Sequence, residues 1–226
     1  MKSDATSLIT PKEMNDKFHK FIKELSNFKS SNNVFNQYSY DLLVNEVRRE
    51  NLFLYLKHLA ERNSQILLVG EAPGHRGCRL TGVPFTSEFI LLNGFDEIRL
   101  FGESRGYRKT NEFDRVYKEQ SATIVWEALL KYQQIPLLWN AFPFHPFKVG
   151  NQQSNRTPTK EEINIGEYFL KDLIILFDIN IVVAVGNEAE KTLAKMGLAF
   201  QKVRHPANGG KNKFNNGIKN VMNTLI

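Results

Sequence analysis

The chain has 226 residues, 42% hydrophobic and 24% charged, an ordinary composition for one globular domain that buries a core. Thirty Lys+Arg against 24 Asp+Glu give a net charge of +6, which favours a polyanionic partner because surface cations displace counterions from phosphates. Cys78 is the only cysteine, so an internal disulfide and any cluster held by several thiolates of this chain are excluded, and no stretch approaches the roughly 20 apolar residues of a membrane span.

Residues 1–10 read as frayed. They lack an apolar core followed by small residues, so no signal peptide is expected, and a cytoplasmic (or nuclear) location follows. Pro11 behind Thr10 as N-cap opens a helix to Phe28, with Phe18, Phe21, Ile22 and Leu25 at helical spacing. The Ser/Asn-rich run Ser30–Asn33 breaks it. A second helix is expected from about Tyr40 to Arg62, with Leu42, Leu43, Val47, Leu52, Leu56 and Leu59 as its apolar face. These helices form the N-terminal part, about 1–62, of a single domain spanning 1–226.

Four short apolar or β-branched runs follow in the remaining part, about 65–226: Gln65–Gly70, Ile135–Asn140, Asn180–Gly186 and Phe200–Arg204. Three are continuous rather than alternating, the pattern of strands buried on both faces. Helical segments separate them: Trp126–Tyr132, with a cap at Ser121, then Thr159–Phe177, opened by Thr159 and Glu162 as a capping box, then Glu188–Met196. Strands alternating with helices predict a three-layer α/β/α sandwich around a four-stranded parallel sheet. The polar segment Asn93–Gln120 is long for a connection and reads as either functional or mobile.

Ligands of such sheets sit beyond the carboxyl ends of the strands. Those positions read Gly70-Glu71-Ala72-Pro73-Gly74, Asn140-Ala141-Phe142-Pro143, Gly186-Asn187-Glu188 and His205-Pro206-Ala207-Asn208-Gly209-Gly210. Three of the four join a polar side chain to Pro or Gly.

On these residues the chain resembles the uracil-DNA glycosylase superfamily, and within it the family-four branch. Gly70–Gly74 matches that branch's first motif. Gly82-Val83-Pro84-Phe85 resembles its Gly-x-Pro-Phe, which carries the base-stacking aromatic. Asn140 and the later run Asn155-Arg156-Thr157-Pro158-Thr159 resemble the asparagine segment and the Asn-Arg-Thr-Pro helix entry, and His205-Pro206 the final motif. The match runs in the expected order from about Gln65 onward. Three departures stand out. The four cysteines that hold the branch's iron–sulfur cluster are missing. The stretch after Gly74 reads His-Arg-Gly-Cys-Arg-Leu-Thr rather than acidic, and Ala-Asn-Gly-Gly replaces the serine common after His-Pro.

Cutting an N-glycosidic bond places positive charge on the sugar and negative charge on the departing base. His205 can donate a hydrogen bond to a carbonyl oxygen of that base; its alternative is a turn cap. Asn140 can offer its amide to the edge of uracil, or, flipped, to cytosine; its alternative is a strand-end cap. Phe85 can stack on the flipped base or be ordinary core. Glu71 can orient the attacking water or shape its own loop, and the backbone amides of Ala72 and Gly74 can contact base or phosphate. In several relatives an Asp or Asn at the position of Ala72 helps activate water. For DNA, the small and basic run Asn208-Gly209-Gly210-Lys211-Asn212-Lys213 suits phosphates or the minor groove, with Arg76, Arg79, His145, Lys148 and Arg156 flanking the same rim. Cys78 has no visible activating partner and reads as structural.

The expectation is therefore a monomeric, monofunctional DNA glycosylase without metal or cofactor, flipping a base from single- or double-stranded DNA, with no membrane partner. Uracil is the substrate the resemblance implies. Three rivals remain open: another deaminated or modified base, including those of phage DNA; a non-catalytic nucleic-acid-binding protein; and an unrelated nucleotide-binding domain, which lacks its phosphate-loop motifs here.

Overall fold

A computed structural model describes residues 10–224; the frayed segment expected at residues 1–10 falls, but for Thr10, outside the described residues. In chain order the elements are α1 (Pro11–Asn27), β1 (Val34–Phe35), α2 (Asn45–Ala60), β2 (Ile66–Gly70), α3 (Cys78–Thr81) and α4 (Glu88–Asn93). A 3-10 turn (Glu103–Arg105) leads to α5 (Gln120–Leu129), β3 (Leu137–Asn140), β4 (His145–Pro146) and α6 (Lys160–Leu176). The chain then runs through β5 (Ile181–Val185), α7 (Asn187–Lys195), β6 (Gln201–Val203) and α8 (Lys211–Asn223).

The four expected runs form one parallel sheet of order β3-β2-β5-β6. β2 and β3 are buried along their whole length, so helices cover both faces. The edge strand β6 exposes Gln201 and Lys202, which keeps its open side soluble. From β2 the chain moves to β3 on one side and later returns to β5 on the other. The connections therefore part above β2, leaving a crevice at the carboxyl ends. The β2–β3 register pairs Gly70 with Asn140 and fixes which side chains meet there.

The helix signals hold where they are local. Thr10 with Glu13, and Thr159 with Glu162, form complete capping boxes at α1 and α6. One apolar core contains Phe18 of α1, Leu56 of α2, Leu68 of β2 and Phe214 of α8, so the N-terminal helices share it with the sheet.

Two expected helix starts are corrected. α2 starts at Asn45, not near Tyr40, because residues 41–44 are turns; Leu42 and Leu43 are 45% and 91% exposed and belong to no apolar face. α5 starts at Gln120, and its cap is Glu119, whose carboxylate accepts from the amides of Ser121 (3.0 Å) and Ala122 (2.6 Å). The 93–120 connection, expected to be functional or mobile, is anchored to the core at its middle. Leu100, Phe101 and Tyr107 are fully buried, and Phe101 stacks edge-on against Trp126. The antiparallel β1–β4 pair and α3, α4 and α8 had no counterpart in the expected elements. No described helix is long and apolar enough to cross a membrane.

Candidate active site

A cavity of about 430 Å³ opens at the carboxyl ends of β2 and β3. Its wall brings together Glu71, Ala72, Gly74, Phe85, Asn140 and His205, which lie up to 134 positions apart in sequence.

The floor rests on Gly70. A methyl group there would stand 2.5 Å from Phe85 Cζ and 2.9 Å from Asn140 Oδ1, so only glycine admits both side chains. Phe85 itself has φ +51, a left-handed conformation that a bulky residue adopts at a cost of about 1–3 kcal/mol. Trp126 Nε1 donates to the Phe85 carbonyl at 2.9 Å and holds that turn. The ring is thereby aimed across Gly70 into the cavity. Asn140 is 5% exposed, and its side chain makes no hydrogen bond among the described residues. An amide without a protein partner at a cavity wall is free to hydrogen-bond whatever enters the cavity.

His205 follows β6. The backbone N–H of Ala207 donates to His205 Nδ1 at 3.1 Å. A nitrogen that accepts carries no proton, so the neutral ring holds its proton on Nε2 and can donate from there. Burial pushes the His205 pKa below its ordinary value, with the Glu119 charge opposing this and Arg204 reinforcing it. The Cβ of His205 would lie 3.1 Å from a methyl placed on Gly186, whose φ of +90 also demands glycine. The end of β5 thus fixes how deeply the imidazole sits.

Glu71 is half-buried. Burial raises its pKa; the Thr157 hydroxyl lowers it, and the Glu188 charge raises it further. It borders both the main cavity and a smaller one between α6 and α7. Ala72 and Gly74 contribute backbone only. Nothing lies within 4 Å of a methyl added to Gly74.

The expected DNA rim divides. Arg76, Asn208, Gly209, Lys211, Lys213 and Lys148 are exposed. Lys211 is the first residue of α8, not part of a loop, and forms an exposed pair with Glu127 at 2.7 Å. Gly210 is buried beneath the carbonyls of His205 and Ala207 and shapes the turn. Arg79 is not on the rim: it is 3% exposed, pairs with Glu112 and lies over the Phe35 ring. Arg156 lines the cavity wall, but its guanidinium grips both Glu162 oxygens and the carbonyls of Phe147 and Asn33. Arg156 has no donor to spare for phosphate, and Arg79 is too deeply buried to reach one. His145 is fully buried between the carbonyls of Pro73 (2.8 Å) and Gln152 (3.0 Å).

Sequence reasoning missed Glu119, Thr86 and the cavity role of Asn155. Asn155 Oδ1 accepts from the His75 amide at 3.0 Å and ties the first motif's loop to the entry of α6. The signal for Glu119 was its place just before an apolar-periodic helix, where a carboxylate can cap.

The donor set does not fit a cysteine-held iron–sulfur cluster. Cys78 is the sole cysteine and is buried near Tyr38 Oη (3.8 Å), with its thiol pushed up to about 12 by burial.

Against family models, residues 56–225 match the uracil DNA glycosylase superfamily. No curated protein matches. Among solved structures, the chain is similar to the crystal structure of wild-type SMUG2 from Pedobacter heparinus. The TM-score is 0.65 at 16% identity, over 94% of this chain and 96% of that chain, a likeness of fold.

Proposed function

The chain belongs to the uracil DNA glycosylase superfamily, and on that premise we propose that it flips uracil out of DNA and hydrolyses its glycosidic bond. The observation that carries this reading is that one cavity wall joins an aromatic ring, Phe85, to two polar groups able to meet a base edge: Asn140, whose side chain has no partner among the described residues, and His205, whose Nδ1 accepts from Ala207 and leaves the proton on Nε2. Phe85 stacks on the base. Asn140 accepts from the base N–H and donates to a carbonyl. As the bond between the sugar C1′ and the base nitrogen breaks, its electron pair moves into the base. His205 Nε2–H then donates to the carbonyl oxygen that gains the charge.

Water completes the reaction by attacking C1′, and the proton it loses ends on the departing base anion, leaving neutral uracil and an abasic sugar. Ala72 has no carboxylate for it. Of the two acidic side chains on the cavity wall, Glu119 is engaged with the α5 amides, while Glu71 accepts from no backbone amide among the described residues. Glu71 orients the water and balances the cationic sugar. No lysine is among the residues lining the cavity, which fits hydrolysis by water rather than attack by an amine, hence a monofunctional enzyme. Arg76, Lys211 and Lys213 hold phosphates. Asn208 and Gly209 form the exposed tip that approaches the groove. A second reading, a base bulkier than uracil, is favoured by the open space above Gly74.

The test is a panel of oligonucleotides, each with one candidate base, scored for abasic sites. Cleavage at uracil supports the first reading and cleavage at a larger base alone the second. Binding without any cleavage would favour a non-catalytic role.

A further inference from the structure

Resting on the reading that the cavity takes the flipped base, we infer that His145 is a positioning residue of the site. Its Nδ1–H holds the Pro73 carbonyl and thereby turns the Gly74 N–H into the cavity, as a donor to a carbonyl oxygen of the base beside Asn140 and His205.

His145 is fully buried and lies behind the cavity wall, yet it touches the loop that forms that wall. It stands on β4, paired with Phe35 of β1, and its ring lies against Phe147 at 5.9 Å with 23° between the planes. Both ring nitrogens face backbone carbonyls, Nδ1 that of Pro73 at 2.8 Å and Nε2 that of Gln152 at 3.0 Å. Burial lowers the His145 pKa; the two carbonyls oppose this, and the Arg79 and His75 charges reinforce it. At about pH 8 the ring is therefore neutral, with one N–H for two acceptors. The shorter contact is the one to Pro73.

The C=O of Pro73 and the N–H of Gly74 belong to one planar trans unit and point in opposite directions. A carbonyl drawn toward the buried imidazole sends the Gly74 N–H the other way, and Gly74 lines the cavity. The neighbouring polar groups are already engaged. The Gly74 carbonyl accepts from the amides of Gly77 (3.2 Å) and Arg79 (3.3 Å), and the His75 amide donates to Asn155 at 3.0 Å. From the Pro73 carbonyl to the His75 amide, only the Gly74 N–H has no partner among the described residues. Nothing lies within 4 Å of where a Cβ on Gly74 would stand, so a base edge can approach that amide. A flipped peptide would put a carbonyl in place of the donor and repel the base oxygen. His145 holds the peptide against that flip.

The test compares His145→Asn, whose amide places a donor near the Nδ1 position, with His145→Gln, whose amide reaches the Nε2 position, and with His145→Ala. Single-turnover uracil release and melting temperature are measured at about pH 8. The Gly74 amide resonance of isotope-labelled protein is followed while free uracil is added. All three variants should melt earlier, because each removes a packed ring. The rate should separate them, falling about 100-fold in the Ala and Gln variants and staying within about 10-fold of wild type in the Asn variant. The Gly74 resonance should move with uracil in the wild type and the Asn variant only. Equal rates in the Asn and Gln variants, or rescue by Gln alone, overturn the positioning role, while uracil release by the wild type still supports the glycosylase. A wild type that releases no uracil overturns the glycosylase reading instead. The Gly74 resonance of the free protein, alike in wild type and the Asn variant and displaced in the other two, then supports the role of His145 by itself.

Discussion

Gly70→Ala tests how the site is built. The added methyl would stand 2.5 Å from Phe85 Cζ and 2.9 Å from Asn140 Oδ1, both inside any tolerable contact. β2 cannot yield, because it is hydrogen-bonded to β3 and β5 on either side. The ring and the amide must move instead. Overpacking of this kind costs about 1–3 kcal/mol, or about 2–12 °C in melting temperature for a chain of this size. The effect on chemistry should be larger, since a displacement of about 1 Å in a positioning group can lower the rate about 100-fold. Melting temperature, affinity for uracil-containing DNA and single-turnover rate are read on the same preparation. Gly74→Ala is the stability control, as nothing lies within 4 Å of its methyl. A Gly70→Ala protein that cleaves at the wild-type rate would refute the argument that Gly70 admits Phe85 and Asn140 to the cavity. Lost stability with an unchanged rate would leave Gly70 a packing residue only.

Asn140→Asp removes the donor and keeps the acceptors, so uracil cleavage should fall by at least about 100-fold while DNA binding persists; wild-type rates would show that Asn140 only ends the strand. The pH profile follows from His205. Its pKa is pushed down, so the imidazole stays neutral as pH falls to the ordinary histidine value near 6.5. Protonation below that point breaks the Ala207 N–H contact. Single-turnover rates should be flat from pH 8 to about 6.5 and fall only below it; a decline centred above 6.5 would contradict the assignment. Arg79→Ala should lower the melting temperature and leave the salt dependence of DNA binding unchanged, whereas Lys213→Ala should do the reverse and flatten the slope by up to about one unit.

Local signals carried most of the fold. The runs that became β2, β3 and β5 have enough apolar residues to be buried on both faces, and Thr159 with Glu162 marks a helix start within four residues. Asn140 and His205 were legible because they stand directly after strands, where the topology forces a crevice. What was illegible depended on distant partners. Nothing near Arg79 in sequence announces Glu112, which arrives from the long connection and buries it. Arg156 was different: Glu162 lies only six positions on, but its carboxylate was read as a cap and not as the arginine's partner. α8 was hidden by asparagines and a glycine of low helix propensity. Its burial of Phe214, Ile218, Val221 and Met222 at helical spacing was the signal available. Leu43 misled in the opposite sense, as an apolar residue on a turn facing solvent.

The central claim is that His205 stabilises charge on a departing base from Nε2. The most direct measurement is the single-turnover rate of uracil release by wild type and His205→Ala, with melting temperature and DNA affinity taken alongside. The predicted result is a rate lower by about 100- to 1000-fold, the scale of one donor lost at developing charge, with affinity and stability nearly unchanged. Losing the bond from Ala207 N–H to Nδ1 frees an amide at a half-exposed turn, which should cost little. A stable His205→Ala protein that releases uracil as fast as the wild type would contradict the account.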